Sequence, residues 1–222
     1  MKLFLDSANL NDIEHALQRG FIAGITTNPS IIAKEPKGDF LAHVQKIIGL
    51  LREYQQLIPL SVEVFSTKKA EMIAQAESFV KALNYEGLNI KVPIGWDELE
   101  VIHQLRQKGI AVNCTCCMSY NQALMAVSAG ANYVSLFYGR IRDIGYDAYS
   151  VVHETAQTLR GRNSPSEIIV GSIRHIHDIN DAIKAGAHIV TVPPRFFPQM
   201  VKHPKTDEAV KQFVTDFENW MR

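Results

Sequence analysis

The chain has 222 residues, 46% apolar and 21% charged, a soluble-globular composition with enough length to bury one sizeable core. Lysine plus arginine and aspartate plus glutamate number 23 each, so no overall field would draw it to nucleic acid or an anionic membrane. No apolar run approaches the roughly 18 residues that span a bilayer. The first segment, MKLFLDSANLNDIEHAL, turns acidic and periodic too early for a signal peptide, so a cytoplasmic location is expected.

In chain order, short apolar runs alternate with amphipathic stretches. A strand predicted at LFLDSA (3–8) precedes a helix over Asn9–Arg19, and GITTN (24–28) precedes Asp39–Gln55. LSVEVF (60–65) precedes Lys68–Leu83, and LNIKVP (88–93) precedes Trp96–Lys108, where Leu99, Ile102 and Leu105 recur at three-residue steps between charges. AVNCTCC (111–117) is followed by Tyr120–Ser128, YVSLFY (133–138) by Ala148–Leu159, and EIIVGSI (167–173) by His177–Lys184. HIVTVP (188–193) leads into Phe196–Lys202 and a last helix over 206–221, with Val210, Phe213, Phe217 and Met221 along one face. That helix exceeds what the fold needs and is expected to pack on the exterior or on a neighbouring subunit. Gly109, Gly130 and Gly186 stand where a helix ends and a strand begins.

Strict alternation calls for a parallel sheet with right-handed crossovers, and eight strands favour closure. The predicted fold is α/β, a single (β/α)8 TIM barrel domain over 1–222 with 206–221 as an additional C-terminal helix. No GxGxxG follows the first strand, which weakens the dinucleotide-binding alternative. Cys114, Cys116 and Cys117 form an odd, clustered set, poor for disulfides. On a regular strand Cys114 and Cys116 would face one side and Cys117 the other, which argues against a metal site and for small core residues.

The active site of such a barrel lies at the C-terminal ends of its strands. Asp6, Thr26, Asn28, Glu63, Lys91, Asn113, Thr115, Ser135, Arg140, Ser172 and Arg174 all fall in strands or just beyond them. Charge there is costly and needs a reason. Lys91, flanked by Leu88, Ile90, Val92 and Pro93, should be buried. Desolvation would lower its pKa and expose the amine as a nucleophile; a snorkelling or merely paired lysine is the plainer alternative. Asp6 and Glu63 could supply the proton transfers that such chemistry needs, or could simply pair with Lys91 or cap a helix. Thr26, Thr27 and Asn28 could hold a polyol or bond only to loop backbone. Arg140, Ser172 and Arg174 end the sixth and seventh strands, where barrels commonly bind phosphate, and the arginine fork suits that anion. Arg142, close by, reads as surface charge.

TTNPS at 26–30, NIKVP at 89–93, SLFYGRI at 135–141 and GSIRH at 171–175 together resemble the transaldolase family, above all its short-chain branch, which includes fructose-6-phosphate aldolase. The likeness runs in order from Leu5 to the C-terminal helix. It implies a class I mechanism with neither metal nor cofactor, in which Lys91 is the Schiff-base lysine and Asp6 assists proton transfer. Glu63 would work with Thr115 through a water. Thr26, Asn28 and Asn113 would contact the polyol, Ser135, Phe137 and Ser172 would line the site, and Arg140 and Arg174 would bind phosphate.

The implied reaction moves a dihydroxyacetone unit between phosphorylated sugars in the non-oxidative pentose phosphate pathway. The aldolase branch, which releases free dihydroxyacetone, tends to carry glutamine where this chain has Glu63 and tyrosine where it has Phe137, so both positions point to the transferase. Ring-shaped homo-oligomers such as decamers, with the C-terminal helix reaching a neighbour, are implied too. CTCCM at 114–118 and GWD at 95–97 depart from the family's usual sequence. A non-catalytic sugar-phosphate binder would be expected to lack the lysine or the carboxylates. A metal-dependent aldolase would need a His/Asp/Glu cluster at strand ends, and the eight histidines lie mostly in helices and loops.

Overall fold

The computed structural model describes residues 1–222 and forms every strand and long helix that the patterning predicts. The first half runs β1 (Lys2–Asp6), α1 (Leu10–Arg19), β2 (Ile25–Thr26), α2 (Pro29–Ile32), α3 (Phe40–Glu53), β3 (Leu60–Glu63), α4 (Lys69–Leu83) and β4 (Leu88–Pro93). The second half runs α5 (Trp96–Gln107), β5 (Val112–Cys117), α6 (Tyr120–Ser128), β6 (Tyr133–Phe137), α7 (Tyr138–Asp143), α8 (Ala148–Gly161), β7 (Glu167–Gly171), α9 (Ile176–Ala185) and β8 (Ile189–Val192). A 3-10 turn (Pro194–Phe196), α10 (Phe197–Val201) and α11 (Pro204–Met221) complete the chain. The eight strands are parallel, pair in chain order, and close where β8 meets β1 at Lys2↔Ile189 through Leu5↔Val192.

Local chemistry sets the helix ends. The Asn9 side chain accepts from the Asn11 and Asp12 backbone at the start of α1, and Asp39, Ser119 and Asp147 cap α3, α6 and α8 in the same way. Gly109, Gly130 and Gly186 take left-handed φ values of 77°, 97° and 100° where α5, α6 and α9 give way to the next strand.

Each strand is buried on both faces, outward against the helices and inward in the barrel. That is why the strands read as near-continuous apolar runs. The outward side chains join the helices in one cluster of 48 buried residues. The inward ones form two layers. At the floor, Phe4, Ile169 and Ile189 are fully buried, with Tyr133 edge-on to Phe4 at 6.3 Å. Gly24 makes room for this floor, since a Cβ there would lie 2.4 Å from Phe4 Cζ. Two residues further along, the same strand faces carry Asp6, Ser135, Gly171 and Thr191, so the layer above the floor is polar.

Four sequence expectations are corrected. GITTN keeps only Ile25 and Thr26 in the sheet, because Asn28 leaves it to cap α2 with Pro29 at the first helical position. YVSLFY ends at Phe137, and Tyr138 opens α7, a helix absent from the expected set. The cysteines do not alternate: Cys116 takes φ 61°, and the register moves from Cys114↔Val134 to Cys117↔Leu136, three residues of β5 spanning two of β6. This bulge returns Cys117 to the side of Cys114, with their sulfurs 3.9 Å apart, and turns Cys116 towards the barrel mouth. Finally, α11 does not pack on the barrel exterior. None of its residues is buried, and Phe213, Phe217 and Trp220 are exposed. Its first turn starts at Pro204, earlier than expected, because His203 Nδ1 accepts from the Lys205 backbone. No helix is long and apolar enough to cross a membrane.

Candidate active site

A cavity of about 510 Å³ opens at the C-terminal ends of the strands, within the usual size range for a small-molecule site. Five cationic side chains line it against two carboxylates, Asp6 and Glu63. A chain of zero net charge therefore concentrates positive charge at one mouth.

Lys91 lies at the centre. It is 4% exposed, and its Nζ is 3.1 Å from Glu63 Oε2 and donates to the Thr27 carbonyl at 2.8 Å. Parallel pairing of β3 with β4 sets Glu63 directly across from Lys91, so the ion pair is a product of sheet register. The pair is buried yet open to the cavity on one side.

Asp6 sits at the end of β1, paired with Thr26 of β2. Its Oδ1 accepts from Thr26 Oγ1 at 2.7 Å. Burial holds the carboxyl above its ordinary value, while the Thr26 hydrogen bond and then the positive charges of Lys91 and Lys34 pull it back down.

Beneath Lys91 runs a second polar row. Ser135 Oγ donates to Asn113 Oδ1 at 2.7 Å, and Asn113 Nδ2 donates to Ser61 Oγ at 3.1 Å. Ser135 reaches the cavity wall; Asn113 and Thr115 are fully buried and do not. Thr115 carries the single buried side-chain polar atom without a hydrogen-bond partner, its Oγ1. The neighbouring Cys116 faces the cavity, its thiol pushed up by burial and by the Glu63 carboxylate. Asn28 Oδ1 is taken by the Ile31 backbone, so its amide NH2 is the end left to meet a ligand.

Arg140, Ser172 and Arg174 gather on one side of the mouth, with Phe137 beside them. The Arg140 guanidinium stands 5.2 Å over the Phe137 ring. Gly139 is what lets β6 and β7 bring these residues together: its N–H donates to the Ser172 carbonyl, and a Cβ there would lie 2.2 Å from that oxygen. Ser172 is itself held at φ 59°, a strained backbone of the kind that collects at functional sites.

Among the cavity residues that sequence reasoning missed, three stand out, and so does one support. Lys34, Thr191 and Arg195 line the site. Lys34 and Arg195 lie beyond the strand ends, one just after α2 and the other within the 3-10 turn that follows β8, and Thr191 reads as ordinary β-branched strand filler. The support is Asp178 of α9, fully buried, which accepts from the backbone N–H groups of Arg174 and His175 and pairs with Arg142. Arg142 is thus tied to the Arg174 loop and is not mere surface charge. Replacing Asp178 with alanine orphans two backbone donors and should cost about 2–4 kcal/mol. Thermal unfolding should show that loss, and steady-state kinetics a raised KM, because the Arg174 loop is no longer fixed.

Nowhere do three or more His, Cys, Asp or Glu side chains group to hold a metal ion. The fold and this centre define a barrel with a buried lysine–carboxylate pair beneath a cationic mouth. Comparison with known proteins carries the assignment further. The sequence pattern of the transaldolase/fructose-6-phosphate aldolase family matches residues 3–222. A protein named "Probable transaldolase" from Heliobacterium modesticaldum is 42% identical over 219 residues, covering 99% of this chain and 98% of the relative. Another of that name from Desulforudis audaxviator is 41% identical, covering 98% and 97%. A thiamine phosphate pyrophosphorylase from Pyrococcus furiosus shares the fold, with a TM-score of 0.60 at 13% identity over 86% of this chain and 85% of its own. The chain belongs to the transaldolase/fructose-6-phosphate aldolase family and is an enzyme of the transaldolase/aldolase type.

Proposed function

We propose that the chain is a transaldolase. It would move a dihydroxyacetone unit from sedoheptulose 7-phosphate or fructose 6-phosphate to glyceraldehyde 3-phosphate or erythrose 4-phosphate, in the non-oxidative pentose phosphate pathway. The observation that carries this reading is the buried Lys91 amine, 3.1 Å from Glu63 and facing a cationic cavity.

The Lys91 amine attacks the ketose C2 carbonyl, giving a carbinolamine, and loss of water leaves an iminium. Glu63 is placed to take and return the protons of that step, and a water shared with Thr115 Oγ1 would give that buried hydroxyl the partner it otherwise lacks. Asp6 removes the C4 hydroxyl proton; the C3–C4 electron pair moves into the iminium, the aldose phosphate leaves, and an enamine remains on Lys91. The enamine adds to the acceptor aldehyde, Asp6 returns its proton, and hydrolysis frees the new ketose. Arg140 and Arg174 hold the phosphate of the donor and then that of the acceptor, with Ser172 beside them; Thr26 and Asn28 are the groups assigned to the sugar, while Asn113, out of its reach, holds Ser135. The lysine supplies the electron sink, so the reaction needs no metal and no cofactor.

Phe137 and Glu63 favour transfer over release. A phenyl has no hydroxyl with which to orient water towards the enamine. The test is an assay for free dihydroxyacetone with fructose 6-phosphate, with and without erythrose 4-phosphate. Transfer predicts sedoheptulose 7-phosphate only with the acceptor present and little free dihydroxyacetone in either case. Fast release without acceptor would make the enzyme an aldolase.

The free cysteines suit a reducing, cytoplasmic setting. The unburied apolar stripe of α11 supports a homo-oligomer, as in the rings of the short branch, with the helix lying on a neighbour. Replacing Phe213 and Phe217 together by aspartate should convert the oligomer to monomers in light scattering while leaving each barrel folded. An unchanged mass would take α11 out of the interface.

A further inference from the structure

One hydroxyl pair below the catalytic carboxylate has a direction that chemistry fixes. Thr26 Oγ1 lies 2.7 Å from Asp6 Oδ1 and 2.5 Å from Thr191 Oγ1. An ionised carboxylate only accepts, so the single Thr26 proton goes to Asp6. Thr191 must then be the donor to Thr26. Strand order explains the meeting: β2 and β8 are the two neighbours of β1, and their hydroxyls converge beside its end. Both threonines are buried, Thr26 at 2% and Thr191 at 5% exposure, so neither has bulk water as a competing partner.

We propose that Thr191 is a positioning residue for Asp6: by donating to Thr26 it fixes Thr26 as the donor to the Asp6 carboxylate and so holds Asp6 ready to accept a proton. The consequence for catalysis rests on the role given to Asp6 under the proposed function. A hydroxyl that accepts a hydrogen bond becomes a better donor, so the chain Thr191→Thr26→Asp6 strengthens along its length. It can also run backwards. When Asp6 takes a proton, the acid can donate to Thr26 and Thr26 to Thr191, because each hydroxyl turns about one bond. No heavy atom moves, and Asp6 keeps a partner in both protonation states.

The charged groups around Asp6 are Lys34 after α2, Glu63 on β3, Lys91 on β4, and Arg140, Arg174 and Arg195 at the mouth. Lys91 and Lys34 favour the carboxylate, and burial opposes it. Thr191 has no charge, so its removal leaves this field intact and changes only the hydrogen-bond chain. Valine at position 191 has the same shape without the hydroxyl, serine keeps the hydroxyl, and alanine is a smaller control should valine misfold.

The experiment follows the Asp6 carboxyl by 13C NMR in [13C]aspartate-labelled enzyme, assigned by its loss in Asp6→Asn, beside the pH profile of kcat/KM. The Asp6 titration should move up in Thr191→Val and Thr191→Ala and return in Thr191→Ser. On the acid limb, kcat/KM for Thr191→Val should fall about three- to tenfold, the worth of one hydrogen bond, with Thr191→Ser near the parent. An unmoved Asp6 titration in a folded Thr191→Val or Thr191→Ala enzyme would overturn the proposal, as would failure of serine to restore it. If the titration moves and the rate profile does not, Thr191 positions Asp6 as stated, and it is the catalytic role of Asp6 that fails.

Discussion

Replacing Lys91 with methionine is expected to lower kcat by on the order of 10⁴-fold or more. Methionine fills nearly the same space but offers no amine, so no imine forms and no electron sink exists for the C3–C4 bond. The fold should survive. Lys91 makes one ion pair and one hydrogen bond, to Glu63 and to the Thr27 carbonyl. The Glu63 left behind is 13% exposed on its side chain and faces the cavity, where water or a proton can reach it. Loss of a buried partner still costs stability, and Glu63→Gln added to Lys91→Met should recover part of it. Circular dichroism and thermal unfolding check the fold, and stopped assays check the rate. Activity within a hundredfold of the parent would remove Lys91 from the centre of the mechanism.

The second large effect is expected at Asp6. Asparagine keeps the shape and can still accept from Thr26, but it cannot take a proton, so kcat should fall about 10²–10⁴-fold. Imine formation on Lys91 should persist, since the role proposed for Asp6 lies in the cleavage step. Stability should move the other way. Burial raises the Asp6 carboxyl above its ordinary value of 3.8, so the ionised native form is the costly one. That cost is fully present above the raised folded value and is relieved as pH falls through it towards 3.8. Asp6→Asn should therefore melt higher than the parent at neutral pH, by a margin that shrinks as the solution is acidified through that window. A lower melting temperature at neutral pH would mean that the field of Lys91 and Lys34 outweighs desolvation.

Much of the fold was legible because a parallel barrel buries both faces of its strands. LNIKVP, EIIVG and HIVTV stand out against helices that carry their charge on one side, and the glycines before three strands mark the helix ends. The strand ends were less legible. Thr27, Asn28, Phe65 and Ile173 belong to residue types that favour strands or turns, yet they leave the sheet, because the C-terminal rim is given to the site instead of the ladder. The turn at Cys116 was hidden because no glycine marks the left-handed residue; a regular strand was the default, and the cysteine faces came out reversed.

The site was legible where it carried charge. Lys91, Glu63 and Asp6 stood out because a charged residue inside an apolar strand has few structural excuses, and parallel register then brings Lys91 and Glu63 together without further information. Uncharged or distant contributors carried no such flag. Asp178 looked like one more polar residue of an amphipathic helix, though it is fully buried under the Arg174 loop. Thr191 looked like strand filler, though it lines the cavity and lies 2.5 Å from Thr26 Oγ1.

The most direct test of the account is chemical trapping on the whole enzyme. Fructose 6-phosphate and borohydride are added together, the intact chain is weighed, and the modified peptide is sequenced by mass spectrometry. A reduced three-carbon adduct on Lys91 is the predicted result, present in the parent and absent in Lys91→Met. An active, folded enzyme that gains no mass, or that carries the adduct on another lysine, would contradict it.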